Sequence, residues 1–295
     1  MPNTQFFTDS TSDLPHAFLV ENQIKSIGLP FQLDGKEYIC TSDPKDPSYI
    51  PLEMFYERMR QSSEPTTSMI NQQTYLEVFE PVLAEGRDVF YIAFTSGLSG
   101  SCTNAQLAAL ELEKKYPGRR VRVIDSLSGS LGEGLVVYLA MEKHREGLDD
   151  DALELYINSI KGKVHHWFTV DDLVYLKRSG RTSGLSAAFG TLLSIKPVII
   201  FTDDGHMVLR DRARGRKKSL NMLVEGMAAN VSLPYTKPVF ISHADALAEA
   251  EHVAGLVKER FGVEVRMINI LSPTTGAHSG PGTVALFFVG DQPRG

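Results

Sequence analysis

Cysteine is scarce: Cys40 and Cys102 are the only two, too few for a disulfide framework, which predicts a reducing, cytoplasmic setting. No charged and apolar leader stands at Met1-Pro2-Asn3-Thr4, so no signal peptide is expected. Long hydrophobic runs are missing as well. The longest near the C-terminus, Val284 to Val289, is far short of the roughly 20 residues that span a bilayer. A basic excess is absent, since 30 Lys and Arg face 36 Asp and Glu for a formal net charge of −6. That balance argues against coating nucleic acid. His, Cys and carboxylate residues nowhere fall at metal-ligand spacing, so neither a metal nor a cofactor is expected. What remains is an ordinary globular composition, 42% hydrophobic and 22% charged over 295 residues, long enough for two domains.

The most informative stretch is Val89-Phe90-Tyr91-Ile92-Ala93-Phe94 followed by Thr95-Ser96-Gly97-Leu98-Ser99-Gly100-Ser101-Cys102-Thr103-Asn104. An apolar run rich in β-branched and aromatic residues predicts a fully buried strand. The hydroxyl and glycine loop then feeds a helix carrying Ala105, Leu107, Ala108, Leu110 and Leu112. Hydroxyls and backbone N–H groups at a helix start can hold an anion, or can simply cap the helix. No lysine makes this a P-loop, and the last glycine stands one position early for a nucleophile elbow.

The N-terminal segment from Gln5 to Pro15 repeats this order of strand, hydroxyl and Asp loop, helix. Ile27 to Leu33 and Lys36 to Ile39 read as two strands about an Asp34-Gly35 turn, and Ser48 to Arg60 reads as a helix. Pro65 to Asn71 is a hydroxyl loop opening another helix, read by itself as a capped start. Arg120 to Asp125 forms a further strand, with a helix from about Gly134; Gly132-Glu133-Gly134 lacks the third glycine of a dinucleotide fingerprint. Alternating strands and helices up to Ile160 predict a parallel sheet covered on both faces, with the loops after Phe7, Phe94 and Ile124 at its carboxyl end.

Beyond Lys161-Gly162-Lys163 the pattern changes. Strands are expected at His165 to Val170, Val198 to Phe201, Met207 to Leu209, Pro238 to His243, Glu264 to Asn269 and Thr283 to Val289. Helices are expected at Leu173 to Arg178, Leu185 to Leu193, Lys217 to Ala228 and Leu247 to Phe261. The fold class is therefore α/β in two domains: residues 1–162 with a parallel sheet, and residues 163–295 with a mixed sheet.

Leu271 to Gly282 reads as a loop whose Pro and Gly residues bend the chain to aim His278. Of His165 and His166, adjacent on a strand, at most one can face a pocket. His243, Asp245 and His252 match no zinc site and read as structural. Arg210 to Lys218 is the one basic run, either a solvated face or a docking patch for an acidic protein, with Lys177 to Arg181 as an extension.

Eight blocks in order resemble the DegV family of bacterial fatty-acid-binding proteins: Thr8 to Pro15, Thr67-Ser68, Thr95 to Ser101, Asp125-Ser126 with Ser130 to Gly132, Tyr175 to Arg181, Ile195 to Pro197, Arg214 to Lys218, and Gly276 to Gly282. The resemblance implies two α/β domains with a long-chain fatty acid in the cleft between them. It implies no catalysis by the chain itself. A separate fatty acid kinase would phosphorylate the presented carboxylate, and transient membrane contact is compatible with such a ligand. The family's head-group contacts fall on Thr67 and its neighbour Ser68, on Ser96 beside Thr95, and on His278, and its kinase-facing arginines fall on Arg181 and Arg214. Met69-Ile70-Asn71 and Ser179 depart from the family's usual residues. The competing reading is an acyl hydrolase or transferase using Ser96 or Ser99 with His278, for which no third partner is evident.

Overall fold

The structure is a computed structural model, and it describes residues 4–181 and 195–295. The helix expected at Leu185 to Leu193 lies outside the described residues. Four strands, β1 (Thr4–Asp9), β2 (Lys25–Ile27), β6 (Asp88–Ala93) and β7 (Val121–Asp125), form a parallel sheet in the order β2-β1-β6-β7. Strand β6 fills its place because Val89 to Ala93 have no polar side chain to solvate except the Tyr91 hydroxyl, which is bonded; all five are buried.

A second sheet has the order β10-β9-β8-β13-β11-β12. Its members are β8 (Val164–Thr169), β9 (Ile195–Phe201), β10 (Met207–Arg214), β11 (Val239–His243), β12 (Met267–Ile270) and β13 (Val284–Val289). Only the β11/β12 pair is parallel, so the sheet is mixed.

Helices stack these sheets into layers. Helices α3 (Gln72–Ala84) and α4 (Ser101–Lys115) cover one face of the parallel sheet with Tyr75, Phe79, Ala105, Ala108 and Leu112. Helix α5 (Leu131–Arg145) lies between the sheets, and one core joins Phe6, Phe90 and Ile92 through Leu135 and Val136 to Phe168, Phe240 and Phe287. Helices α8 (Arg216–Ala228) and α9 (Leu247–Phe261) close the far face of the mixed sheet around Trp167. Helices α1 (His16–Glu21), α6 (Asp150–Ile160) and α7 (Leu173–Ser179) complete the larger layers, with Asp149 and Asp172 capping the last two.

Three expectations change. The strand read at Ile27 to Leu33 divides at Gly28, where a Cβ would sit 2.5 Å from the Cys40 carbonyl oxygen. Its second part, β3 (Pro30–Leu33), forms the expected hairpin with β4 (Lys36–Ile39) and pairs on its other side with β5 (Thr66–Thr67), making a small antiparallel sheet. The helix after it begins late, since Pro51 precedes α2 (Leu52–Arg60). The segment around His278 is a helix, α10 (Pro273–Ser279), rather than a loop, with proline at its first turn where no N–H is needed.

The basic run is likewise divided. Arg210 to Arg214 finish edge strand β10, whereas Arg216 to Lys218 open α8, where Arg216 pairs with Glu249.

Candidate functional site

All four connections at the carboxyl end of the parallel sheet give residues to one cavity: Thr11 after β1, Leu29 after β2, Phe94, Leu98 and Ser99 after β6, and Gly129 and Ser130 after β7. This is where α/β sheets of this order bind ligands. The opposite wall is the mixed sheet. Along β13 it runs from Thr283 through Ala285 to Phe287, with Phe168 and His166 paired beside Ala285 and Phe287. Phe201 stacks on the His166 ring, with centroids 4.3 Å apart. The period-2 alternation that puts His166 on the cavity turns His165 to the other face, against Phe288.

The apolar floor ends in a polar mouth. Thr67 from β5 and His278 from α10 meet there, Oγ1 to Nε2, at 2.7 Å. Ser68, Ser99, Thr274, Thr275 and Arg181 also line it. Burial, and then the charge of Arg181, push the His278 imidazolium down to about 4, so the ring is neutral at pH 7. A neutral ring against a hydroxyl can pass one hydrogen bond on to a carboxylate, while the Arg181 guanidinium supplies the positive charge.

Behind this wall lies a group of buried acids. Asp9 accepts from the Thr11 N–H and hydroxyl, the Tyr91 hydroxyl and the Phe94 N–H. Glu133 accepts from Thr8, and its other oxygen is 3.0 Å from the Thr11 hydroxyl oxygen. Thr11 has one hydroxyl hydrogen for two carboxyl neighbours, an arrangement that favours one shared proton on the Asp9–Glu133 pair. Burial and then the Asp9 charge push the Glu133 carboxyl well above its usual range, in agreement with this count. Burial raises Asp9 too, against the pull of its donors.

The expected site residues do not all converge. Thr67, Ser68, His278 and Arg181 reach the cavity. Thr95 is fully buried and committed elsewhere: it donates to the Gly205 carbonyl and accepts from the Gly97 N–H. Ser96 is exposed and outside the lining, while Ser99, three residues on, is within it. Arg181, expected on a partner surface, lies at the mouth, and Arg214 is exposed at the end of β10. Among the described residues no cluster could hold a metal, and no helix is long and apolar enough to cross a membrane. The sequence reading put the loops that hold Thr11 and Ser130 at the carboxyl end of the sheet without singling those two residues out, and it missed Ser242 and Thr275 on the lining.

Fold and cavity together define a class: two-domain α/β proteins in which a parallel and a mixed sheet enclose an apolar cavity with a polar mouth. A family model, described as an uncharacterised protein of the DegV family, matches residues 3–291, and the chain belongs to the DegV family. A DegV domain-containing protein of Clostridium perfringens is 37% identical over 97% of both chains. The structure of a fatty-acid-binding DegV family protein from Thermus thermophilus superposes with a TM-score of 0.86, at 28% identity over 98% of this chain and all of that one. That of a stearic acid-binding protein from Eubacterium ventriosum gives 0.84 at 25% identity over 98% of each.

Proposed function

We propose that this protein binds a long-chain fatty acid, with the acyl chain along the Ala285–Phe287 floor and the carboxylate at Thr67, Ser68 and His278, and presents it to a separate fatty acid kinase. The observation that carries the reading is the Thr67–His278 bond on the lining of a cavity whose floor carries Phe168, Phe201, Ala285 and Phe287. Each buried methylene is worth about 0.8 kcal/mol, so the chain supplies most of the affinity and the mouth supplies recognition. The fatty-acid-binding relatives from Thermus thermophilus and Eubacterium ventriosum support it. Arg181 at the mouth faces both the carboxylate and an approaching enzyme, and the exposed Arg214 suits a docking role. The acyl-hydrolase reading gains nothing, because His278 Nε2 is bonded to Thr67 and not to Ser96 or Ser99.

The test is to combine the protein with palmitate, ATP and a fatty acid kinase and to trap acyl phosphate with hydroxylamine. Product is expected only when the protein is present, and Arg214→Ala is expected to keep palmitate bound while lowering the yield. Equal yield with and without the protein would refute the presenting role.

A further inference from the structure

Asp13 does not line the cavity, yet it holds the element that carries His278. It sits in the loop after β1 with φ of 52°, a left-handed conformation that glycine and asparagine tolerate best. Its Oδ1 accepts from the Ser272 N–H at 2.8 Å and from the Thr275 hydroxyl at 3.4 Å, both at the start of α10. Its backbone carbonyl accepts from the Asn269 side chain at 2.7 Å. Thr275 and His278 are three residues apart on one helix, hence on neighbouring positions of one face. The other side of α10 is fixed by Tyr56, whose hydroxyl donates to the Leu271 carbonyl at 2.9 Å and leaves no room for a Cβ at Gly276.

The Thr67–His278 pair joins distant parts of the chain, 211 residues apart, so it needs something to hold α10 in register with β5. We infer that Asp13 is a positioning residue for carboxylate recognition, pinning the first turn of α10 so that His278 meets Thr67 at the cavity mouth. This rests on the fatty-acid reading above. A second feature agrees: Asp13 Oδ2 is buried without a well-formed hydrogen bond, an arrangement that costs stability, so the carboxylate is held by its Oδ1 contacts to α10.

Three variants test it. Asp13→Gly removes the carboxylate without straining the left-handed backbone. Asp13→Asn keeps the acceptor. Ser272→Pro removes only the N–H that Asp13 accepts and the serine hydroxyl, because φ of −64° already suits proline. Binding is measured for palmitate and for hexadecan-1-ol, which has the same chain and no carboxylate. Asp13→Gly and Ser272→Pro are expected to weaken palmitate at least tenfold and hexadecan-1-ol less than threefold, with Asp13→Asn within threefold of the unsubstituted protein for both. Wild-type palmitate affinity in Asp13→Gly or in Ser272→Pro, equal losses for the two probes, or failure of asparagine to rescue would overturn the inference. Absence of palmitate binding by the unsubstituted protein would overturn the fatty-acid reading itself.

Discussion

Two hydroxyl-rich segments approach the same cavity and use their polar groups in opposite ways. The loop after β6 is the richer one, but Thr95 is consumed by Gly97 and Gly205, and Ser99 and Ser101 bond each other at 3.0 Å. The short Thr66–Met69 segment looks like a helix cap, and Asn71 does cap α3. Yet Thr67, held in β5 by pairing with Phe31, reaches His278 across the cavity mouth. Donor density along the chain therefore marks where a loop holds itself together. What sets Thr67 apart is that its distant partner, His278, lines the cavity with it, whereas the distant partner of Thr95 is the Gly205 carbonyl, outside the lining.

The contrast between groups spent internally and groups aimed at the ligand can be tested by size of effect. Asp13 is the extreme internal case: burial raises its carboxyl to about 6, against the pull of its donors from Ser272 and Thr275. A raised carboxyl contributes stability that is full below its unfolded value of about 4 and is lost as pH rises through about 6, on the order of 3 kcal/mol in all. Asp13→Asn should remove that loss, so urea unfolding should find the variant more stable than wild type at pH 8 and the gap shrinking toward pH 4. Glu133, Cys40 and Tyr56 are buried nearby and are raised by that burial and in part by the Asp13 charge, so Asp13→Asn relieves them as well and shifts the difference in the same direction, whereas Asp9 is raised by burial in both proteins.

Thr67→Val or His278→Ala comes next, each expected to lower fatty acid affinity ~10- to 100-fold, the ~1.5–3 kcal/mol of a hydrogen bond to a charged group, with little change in unfolding midpoint. Thr95→Val should do the reverse, costing about 1–2 kcal/mol of stability, because the half-buried Gly97 N–H and the Gly205 carbonyl lose a partner, while affinity stays within threefold. Smallest of all is Ser96→Ala, expected to change affinity less than twofold by fluorescent fatty acid displacement, since the side chain is exposed outside the cavity. Equal losses for Ser96→Ala and Thr67→Val would erase the distinction.

Much of the architecture was legible because the buried strands are continuous apolar runs and the helices carry clear stops. Leu247 to Phe261 forms α9 over the full span read from the pattern, ended by Gly262 at φ of 71°. Of the small antiparallel sheet, the β3–β4 hairpin was legible from the Asp34-Gly35 turn, but β5 escaped notice because it is two polar residues long. Helix α10 was hidden by its own composition: Pro273 reads as a turn, and Gly276 lowers helix propensity but is required by the Tyr56 hydroxyl 2.2 Å from its would-be Cβ. Within the β6 loop, spacing could not decide between Ser96 and Ser99. The deciding contact is remote, as Gly97 packs on the backbone of Gly205, where a Cβ would lie 2.9 Å from its carbonyl. His278 was legible from the glycines that follow it, Gly280 and Gly282, both at positive φ.

The most direct measurement is to purify the protein without added ligand, denature it in organic solvent, and identify by mass spectrometry the small molecule released, for wild type and for a Thr67→Val/His278→Ala double variant. The account expects close to one long-chain fatty acid per wild-type chain and clearly less from the double variant. A wild-type protein that releases no fatty acid and takes up none when palmitate is added would contradict it.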